Sequence, residues 1–397
     1  MKEKISSLKG KLSHLASNPK ISRGRLHTET IDPTRTPFQR DRDRIIHSSA
    51  FRRLKYKTQV FVYHEGDNYR TRLSHSLEVS QIARSISRFL GLNEDLTETL
   101  ALAHDLGHTC FGHAGEDALK ECMKFYRGFD HNVQTFRIVT ELEHPYPKFD
   151  GLNLTWETLE GLAKHNGPQL DINIDQRIQL TFSNYSKKHD LELSKFASTE
   201  AQIAAISDDI AYNAHDIDDG LRASLFSLDD LFSVPLIGPI AQSVEEEYPN
   251  IDQPRRVHEL VRRLIKEMVN DVIRETVKRN NEYSLLDKDK VHELGKPIVG
   301  FSKKISDEEI KLKSFLLKNM YRHDKVINMT NHASVVVKDL FEYFFDNPSH
   351  ISDDLNIPIN YENDFDKASL VSDYISLMTD RFALMKHRKI FEKKEKV

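Results

Sequence analysis

Histidines and carboxylates gather where apolar segments of helical period meet glycines: His75, His104-Asp105-Leu-Gly-His108, Gly112-His113-Ala-Gly-Glu116 and His131. A histidine followed by an aspartate at a helix end can aim an imidazole nitrogen and a carboxylate oxygen at one point. That mixed donor set suits Mg²⁺, Mn²⁺ or Fe²⁺ better than a thiolate site. A single His-Asp pair could equally be a helix C-terminal cap, so the elements around it have to decide.

Ser76–Leu90 places Leu77, Val79, Ile82, Ala83, Ile86 and Leu90 on one broad face, the pattern of an amphipathic helix. Gly91 is placed to end it and Asn93 to cap the next, Glu94–His104. From His75 the first helix rises roughly 22 Å at 1.5 Å per residue. An antiparallel partner then returns the chain, so His75, His104 and Asp105 can converge. A further ligand should come from another helix. Asp208, Tyr212 and Asp216 are spaced i, i+4, i+8 and share one helix face. Ile203–Asp219 mixes six Asp or His residues (Asp208, Asp209, His215, Asp216, Asp218, Asp219) with apolar ones, more than a purely structural buried helix would carry.

His75, His104-Asp105 and Asp208 resemble the H…HD…D signature of the HD superfamily. Arg72-Leu-Ser-His75, His104-Asp-Leu-Gly-His108 and Phe111-Gly-His113-Ala-Gly-Glu116 resemble, more narrowly, the deoxyguanosinetriphosphate triphosphohydrolase-like family. So do Phe51–Val60, Phe129-Asp-His-Asn132 and Asp208-Asp-Ile-Ala-Tyr212-Asn-Ala-His-Asp216, with an echo at Asn319-Met-Tyr-Arg-His323. The likeness spans about residues 20–220 and thins beyond. A bare HD pair has low specificity, whereas this ordered set has high specificity.

The resemblance implies that water attacks the α-phosphorus of a deoxynucleoside triphosphate, releasing deoxynucleoside and intact triphosphate. It also implies a divalent metal, Mn²⁺ or Mg²⁺ or another transition ion, held by His75, His104, Asp105 and Asp208. The 5′-alkoxide is a poor leaving group and calls for a general acid. His113, with Glu116 at i+3 to orient it, is the candidate. Arg72 is a forked phosphate ligand, and His108 and His131 are candidate phosphate contacts, with His131 grouped with His113 and Glu116 as catalytic. By the same resemblance Tyr212 and Asp216 read the sugar, Gln59 contacts the base edge, and Tyr321 lies near the sugar. Arg52, Arg53, Lys55 and Lys57 form a basic stretch that could face the triphosphate tail, an adjacent subunit or solvent.

The remaining elements are all helical by period, at Ala114–Phe125, Asn132–Leu142, Trp156–Lys164, Glu200–His215, Arg255–Lys278, Asp307–Met320, Asn331–Phe345 and Ala368–His387, with strand-like alternation only at Gln59–Tyr63. The fold is therefore expected to be all-α: an extended basic arm over 1–43, an HD core over 44–250 and a C-terminal helical region over 251–397 packing on the core. Composition, 39% apolar and 30% charged, fits a soluble globular protein. No apolar run nears the ~20 residues that span a bilayer, so no membrane partner is expected. The charged Met1–Lys11 lacks the apolar region of a signal peptide. Cys110 and Cys122 lack metal-site spacing and fit a reducing cytoplasm; Cys110 reads as a packing residue. Net charge is −4, but residues 1–44 hold 11 Lys/Arg against 5 Asp/Glu, which makes single-stranded nucleic acid a candidate partner. A homo-oligomer and an allosteric nucleotide are expected from the resemblance. Two alternatives stay open: an HD phosphohydrolase acting on a monophosphate or alarmone, and a non-catalytic nucleotide or single-strand binding module.

Overall fold

In the computed structural model, described over residues 5–59, 69–169, 176–355 and 360–391, helices form wherever an apolar face recurs at 3.6 residues. Short helices α1 (Pro37–Ile46) and α2 (Ser49–Arg53) lead into α3 (Arg72–Leu90) and α4 (Glu94–Ala103). Helices α5 (Gly112–Cys122), α6 (His131–Arg137), α7 (Trp156–Ala163), α8 (Gln176–Ser186) and α9 (Thr199–Arg222) follow. Beyond them come α10 (Leu228–Leu231), α11 (Gly238–Glu247), α12 (Gln253–Tyr283), α13 (Lys288–Glu293) and α14 (Lys303–Leu316). The chain closes with α15 (Asp324–Asp346), α16 (Ser349–Leu355), α17 (Asp364–Ser376) and α18 (Asp380–Phe391). The fold is all-α. Among the described residues pairing is limited to two isolated bridges, Arg25 with Thr155 and Thr58 with Thr71. The alternation expected at Gln59–Tyr63 lies, beyond Gln59, outside the described residues. No helix among the described residues is long and apolar enough to cross a membrane.

The turn between α3 and α4 forms as its residues dictate. Gly91 takes φ 84, a left-handed conformation that costs glycine nothing. Its N–H and that of Leu92 both donate to the Ser87 carbonyl, at 2.9 Å each. Asn93 then accepts from the Leu96 N–H at 3.0 Å and caps α4. Val79, Ile82, Ala83, Ile86 and Leu90 are buried, but Leu77 is 51% exposed. At 100° per residue it turns away from the face that Val79 and Ile82 share.

Helix α9 packs against both α3 and α4, which makes these three the frame of the site. One apolar core runs from Leu8 to Val326, and a second joins α5 to α15, α17 and α18. The expected N-terminal arm lies on the first core, burying Leu8, Leu12 and Leu15 in short helical turns. The single helix expected over Ala368–His387 is broken between Ser376 and Asp380. There the buried Asp380 carboxylate accepts the backbone N–H groups of Thr58 (2.9 Å) and Phe111 (2.8 Å). The break ties the C-terminal helices to the loop that carries the histidines.

Candidate active site

The α3–α4 hairpin brings His104 back to His75, their rings 5.5 Å apart. Asp208 arrives from α9. Its Oδ1 lies 2.9 Å from Nε2 of His75 and 3.5 Å from Nε2 of His104. Asp105 completes the group, with Oδ1 3.3 Å from Nε2 of His104 and Oδ2 4.0 Å from Nε2 of His75. Ligand atoms of His75, His104 and Asp105 all lie within 4.8 Å of one another. His104 donates its Nδ1–H to the Ala101 carbonyl (2.7 Å), while its Nε2 is buried without a hydrogen-bond partner. That orphaned nitrogen faces two carboxylates, which is what a ligand awaiting a cation looks like. Electrostatics agree. Burial opposes charge on His104, yet Asp105 and Asp208 outweigh it and push the imidazole up to about 9. Burial likewise opposes ionisation of Asp105, but His104 and Arg72 hold it well below the usual carboxylate range. The four residues fit a divalent ion of nitrogen-and-oxygen preference.

Further along α9 a second group forms. Tyr321, on a π-helical turn over Leu317–Tyr321, donates its hydroxyl to Asp216, and the same hydroxyl bonds to that of Tyr212. Single π turns are frequent at functional sites. Burial pushes the Asp216 carboxyl up to about 8, and its Oδ1 has no partner.

The chain resembles known proteins over most of its length. Residues 72–213 match the HD domain and residues 299–389 the phosphohydrolase-associated domain. The chain is 53% identical to the deoxyguanosinetriphosphate triphosphohydrolase-like protein of Parvibaculum lavamentivorans, over 95% of this chain and 96% of that one. It is 54% identical to the protein of the same name from Brucella canis, over 95% of each. Against deoxyguanosinetriphosphate triphosphohydrolase-like protein 1 of Mesorhizobium japonicum it is 52% identical, over 95% of this chain and 94% of the relative. The chain belongs to the deoxyguanosinetriphosphate triphosphohydrolase-like family. It is accordingly an HD-type phosphohydrolase.

In this family member a row of basic groups extends from the Asp105 side of the cation site. Arg72, 1% exposed, is held to Asp105 at 3.0 Å through Nη1, leaving Nε and Nη2 unpartnered. His108 lies 3.2 Å from Asp105 and stacks on His131 at 4.0 Å. The pairing expected of Glu116 is corrected here: its hydrogen bond goes to Nδ1 of His131 at 2.9 Å, whereas Nδ1 of His113 is 3.9 Å away. The reason is α6, capped by Asp130, whose first residue His131 brings its ring against Glu116. Burial alone would raise the Glu116 carboxyl. The bond from His131, with His108 and Lys120 nearby, holds it well below its usual range. His113, its side chain 54% exposed, stands free of such a bond. Burial and the Arg72 charge push its imidazole down.

Two backbone details set this loop. Phe111 adopts φ 62, a strained value for a bulky residue, and Asp380 fixes its N–H. Gly107 has no room for a side chain, since a Cβ would sit 2.1 Å from the His131 carbonyl oxygen.

The basic stretch does not act as a unit. Lys57 is 1% exposed and donates to the carbonyls of His108 (2.5 Å) and Ser376 (2.8 Å), so it faces neither solvent nor a phosphate tail. Arg53 lies 3.8 Å from Glu143, Arg52 bonds back to the His47 carbonyl at 2.8 Å, and Lys55 lies over its neighbour Tyr56. Gln59 is buried near the site: its carbonyl lies 3.3 Å from where Gly112 would carry a Cβ, and its Oε1 has no partner. Cys110 is fully buried in the second core, and burial raises its thiol.

Sequence reasoning missed His165, which stacks on His104 at 5.7 Å and lies 3.8 Å from Asp208. It follows α7 in a turn, and nothing in its spacing could have found it. His215 was counted among the α9 residues without a role.

Proposed function

We propose that this HD hydrolase cleaves deoxynucleoside triphosphates to deoxynucleoside and intact inorganic triphosphate. The observation that supports this substrate over other phosphoesters is the Tyr212–Tyr321–Asp216 set beside the cation site. Tyr212 and Asp216 stand about 6 Å and about 12 Å along α9 from Asp208. A nucleotide with its α-phosphate at the cation end would lay its sugar along that face. The unpartnered Asp216 Oδ1 would bond the 3′-hydroxyl, and the Tyr212 ring would occupy the place of a 2′-hydroxyl.

His75, His104, Asp105 and Asp208 would hold Mn²⁺ or Mg²⁺, which would supply Lewis-acid chemistry at the reacting phosphate. Arg72 offers its free guanidinium nitrogens to phosphate oxygens, with His108 and His131 alongside. Water adds to the α-phosphorus and releases a proton to solvent, the bond from phosphorus to the 5′-oxygen breaks, and that oxygen takes a proton from His113, which solvent then reprotonates. Glu116 fixes His131 and lends negative potential to the histidine group. Gln59 contacts the base.

A product assay with the four dNTPs and GTP, in Mn²⁺ or Mg²⁺, tests the reading. Deoxynucleoside plus intact triphosphate from dNTPs alone is the expected result; pyrophosphate, monophosphate or silence with metal bound would overturn it. Asp216→Ala should then narrow the preference for dGTP over 2′,3′-dideoxyGTP, which lacks the 3′-hydroxyl, by about 10-fold or more, as for a site that loses its bond to a substrate hydroxyl. An unchanged ratio of kcat/KM values would reject the sugar-reading role.

A further inference from the structure

From the Nδ1 edge of His75, opposite the Nε2 that meets Asp208, runs a second line of polar contacts. Nδ1 of His75 lies 3.1 Å from Nδ1 of His215. The other nitrogen of His215, Nε2, is in contact with Oε2 of Glu78. Glu78 pairs in turn with Arg70 (3.4 Å), whose guanidinium also holds Asp218 (2.7 Å) and Asp219 (2.8 Å). His215 is 2% exposed, so its polar atoms need partners within the protein. Helical spacing builds the line. Glu78 is three residues after His75 on α3, and His215 seven after Asp208 on α9, so one α3–α9 interface carries both ligands and both residues behind them.

We propose that His215 and Glu78 are positioning residues that fix the ring orientation and tautomer of His75 and thereby set the affinity of the cation site. The inference rests on the reading of His75 as a ligand through Nε2. A ligand imidazole with its Nε2 lone pair engaged carries its proton on Nδ1. That N–H donates to Nδ1 of His215, which then has its own proton on Nε2, directed at the Glu78 carboxylate. Every proton in the line has one place, and reversing any of them would put a proton on the ligand atom. His215 and, less strongly, Arg70 keep Glu78 ionised: burial opposes its charge, but these two prevail and hold the carboxyl at about 2. A carboxylate behind a ligand histidine raises the basicity of that ligand, and loss of such partners costs 10–100-fold in metal affinity.

The test is Mn²⁺ binding, followed by electron paramagnetic resonance of the free ion, in the full-length protein and three variants. Glu78→Ala is the decisive one, because its side chain is 45% exposed and its removal leaves the core intact. It should weaken Mn²⁺ binding about 10–100-fold, and raising Mn²⁺ should restore most of the hydrolytic rate, which a collapsed site would not allow. His215→Leu should weaken binding at least as much. His215→Asn, whose amide oxygen falls near the lost Nδ1, should recover part of the loss. Wild-type affinity in Glu78→Ala overturns the proposal, whatever the folding of the His215 variants. Wild-type protein that holds no Mn²⁺ overturns the ligand assignment itself, and the relay with it.

Discussion

Replacing His104 with alanine is expected to remove the bound cation and hydrolysis together, lowering the rate by about 10³-fold or more given the several kcal/mol that a catalytic cation contributes. The structure makes this the cleanest removal available. Among the described residues the imidazole makes one hydrogen bond, from Nδ1 to the Ala101 carbonyl, and its Nε2 faces the Asp105 and Asp208 carboxylates without bonding either. The fold should therefore survive with a modest loss. Asp105→Ala should abolish the same activity but also lower the melting temperature. Its carboxylate is the partner of Arg72, a guanidinium 1% exposed, and a buried charge stripped of its partner costs about 3–5 kcal/mol. Metal content, turnover and thermal melting, measured side by side, separate the two variants. Metal-dependent turnover retained by His104→Ala would remove His104 from the ligand set.

The second large effect belongs to the histidine group beyond the cation. Glu116→Gln is expected to cut kcat by about 10²–10⁴-fold, the usual contribution of acid–base groups, while the metal stays bound. Glu116 is 2% exposed and collects His131 at 2.9 Å and Lys120 at 3.0 Å, with His108 at 3.8 Å. Removing its charge frees His131 to rotate and weakens the proton affinity of the group. His113→Ala should show a rate loss of the same order without a stability cost, because that side chain is 54% exposed. Metal stoichiometry and kcat on the two variants discriminate their roles. A full loss in Glu116→Gln with wild-type kcat in His113→Ala would transfer the acid role to His131, the residue that Glu116 actually bonds.

The run of acids on α9 shows where sequence reading reached its limit. Its six Asp and His residues are alike in type and interleaved in spacing, and the structure divides them among separate tasks. Asp208 faces the cation site, Asp209 binds Lys313 outside it, and Asp216 takes Tyr321. Asp218 and Asp219 hold Arg70, and His215 stands behind His75. Period 3.6 assigns each residue a direction, but only the neighbouring helices say what lies in that direction.

The sequence by itself determined the helical elements around the site, the Gly91–Asn93 turn and hence the meeting of His75 with His104 and Asp105. These depend on local rules: an apolar period, a left-handed glycine and a capping asparagine act within a few residues of one another. Its ordered motifs likewise sufficed to indicate the family. Tertiary structure alone decided that Glu116 bonds His131 rather than its helical neighbour His113, and that Lys57 is a buried brace. It also decided that Asp380, more than 260 residues downstream, holds the Phe111 backbone. Those choices are made between separate elements, α5 with α6 and, far apart in sequence, the site loop with α17 and α18. Which polar group satisfies a buried partner there depends on how the helices pack, and no local spacing encodes it.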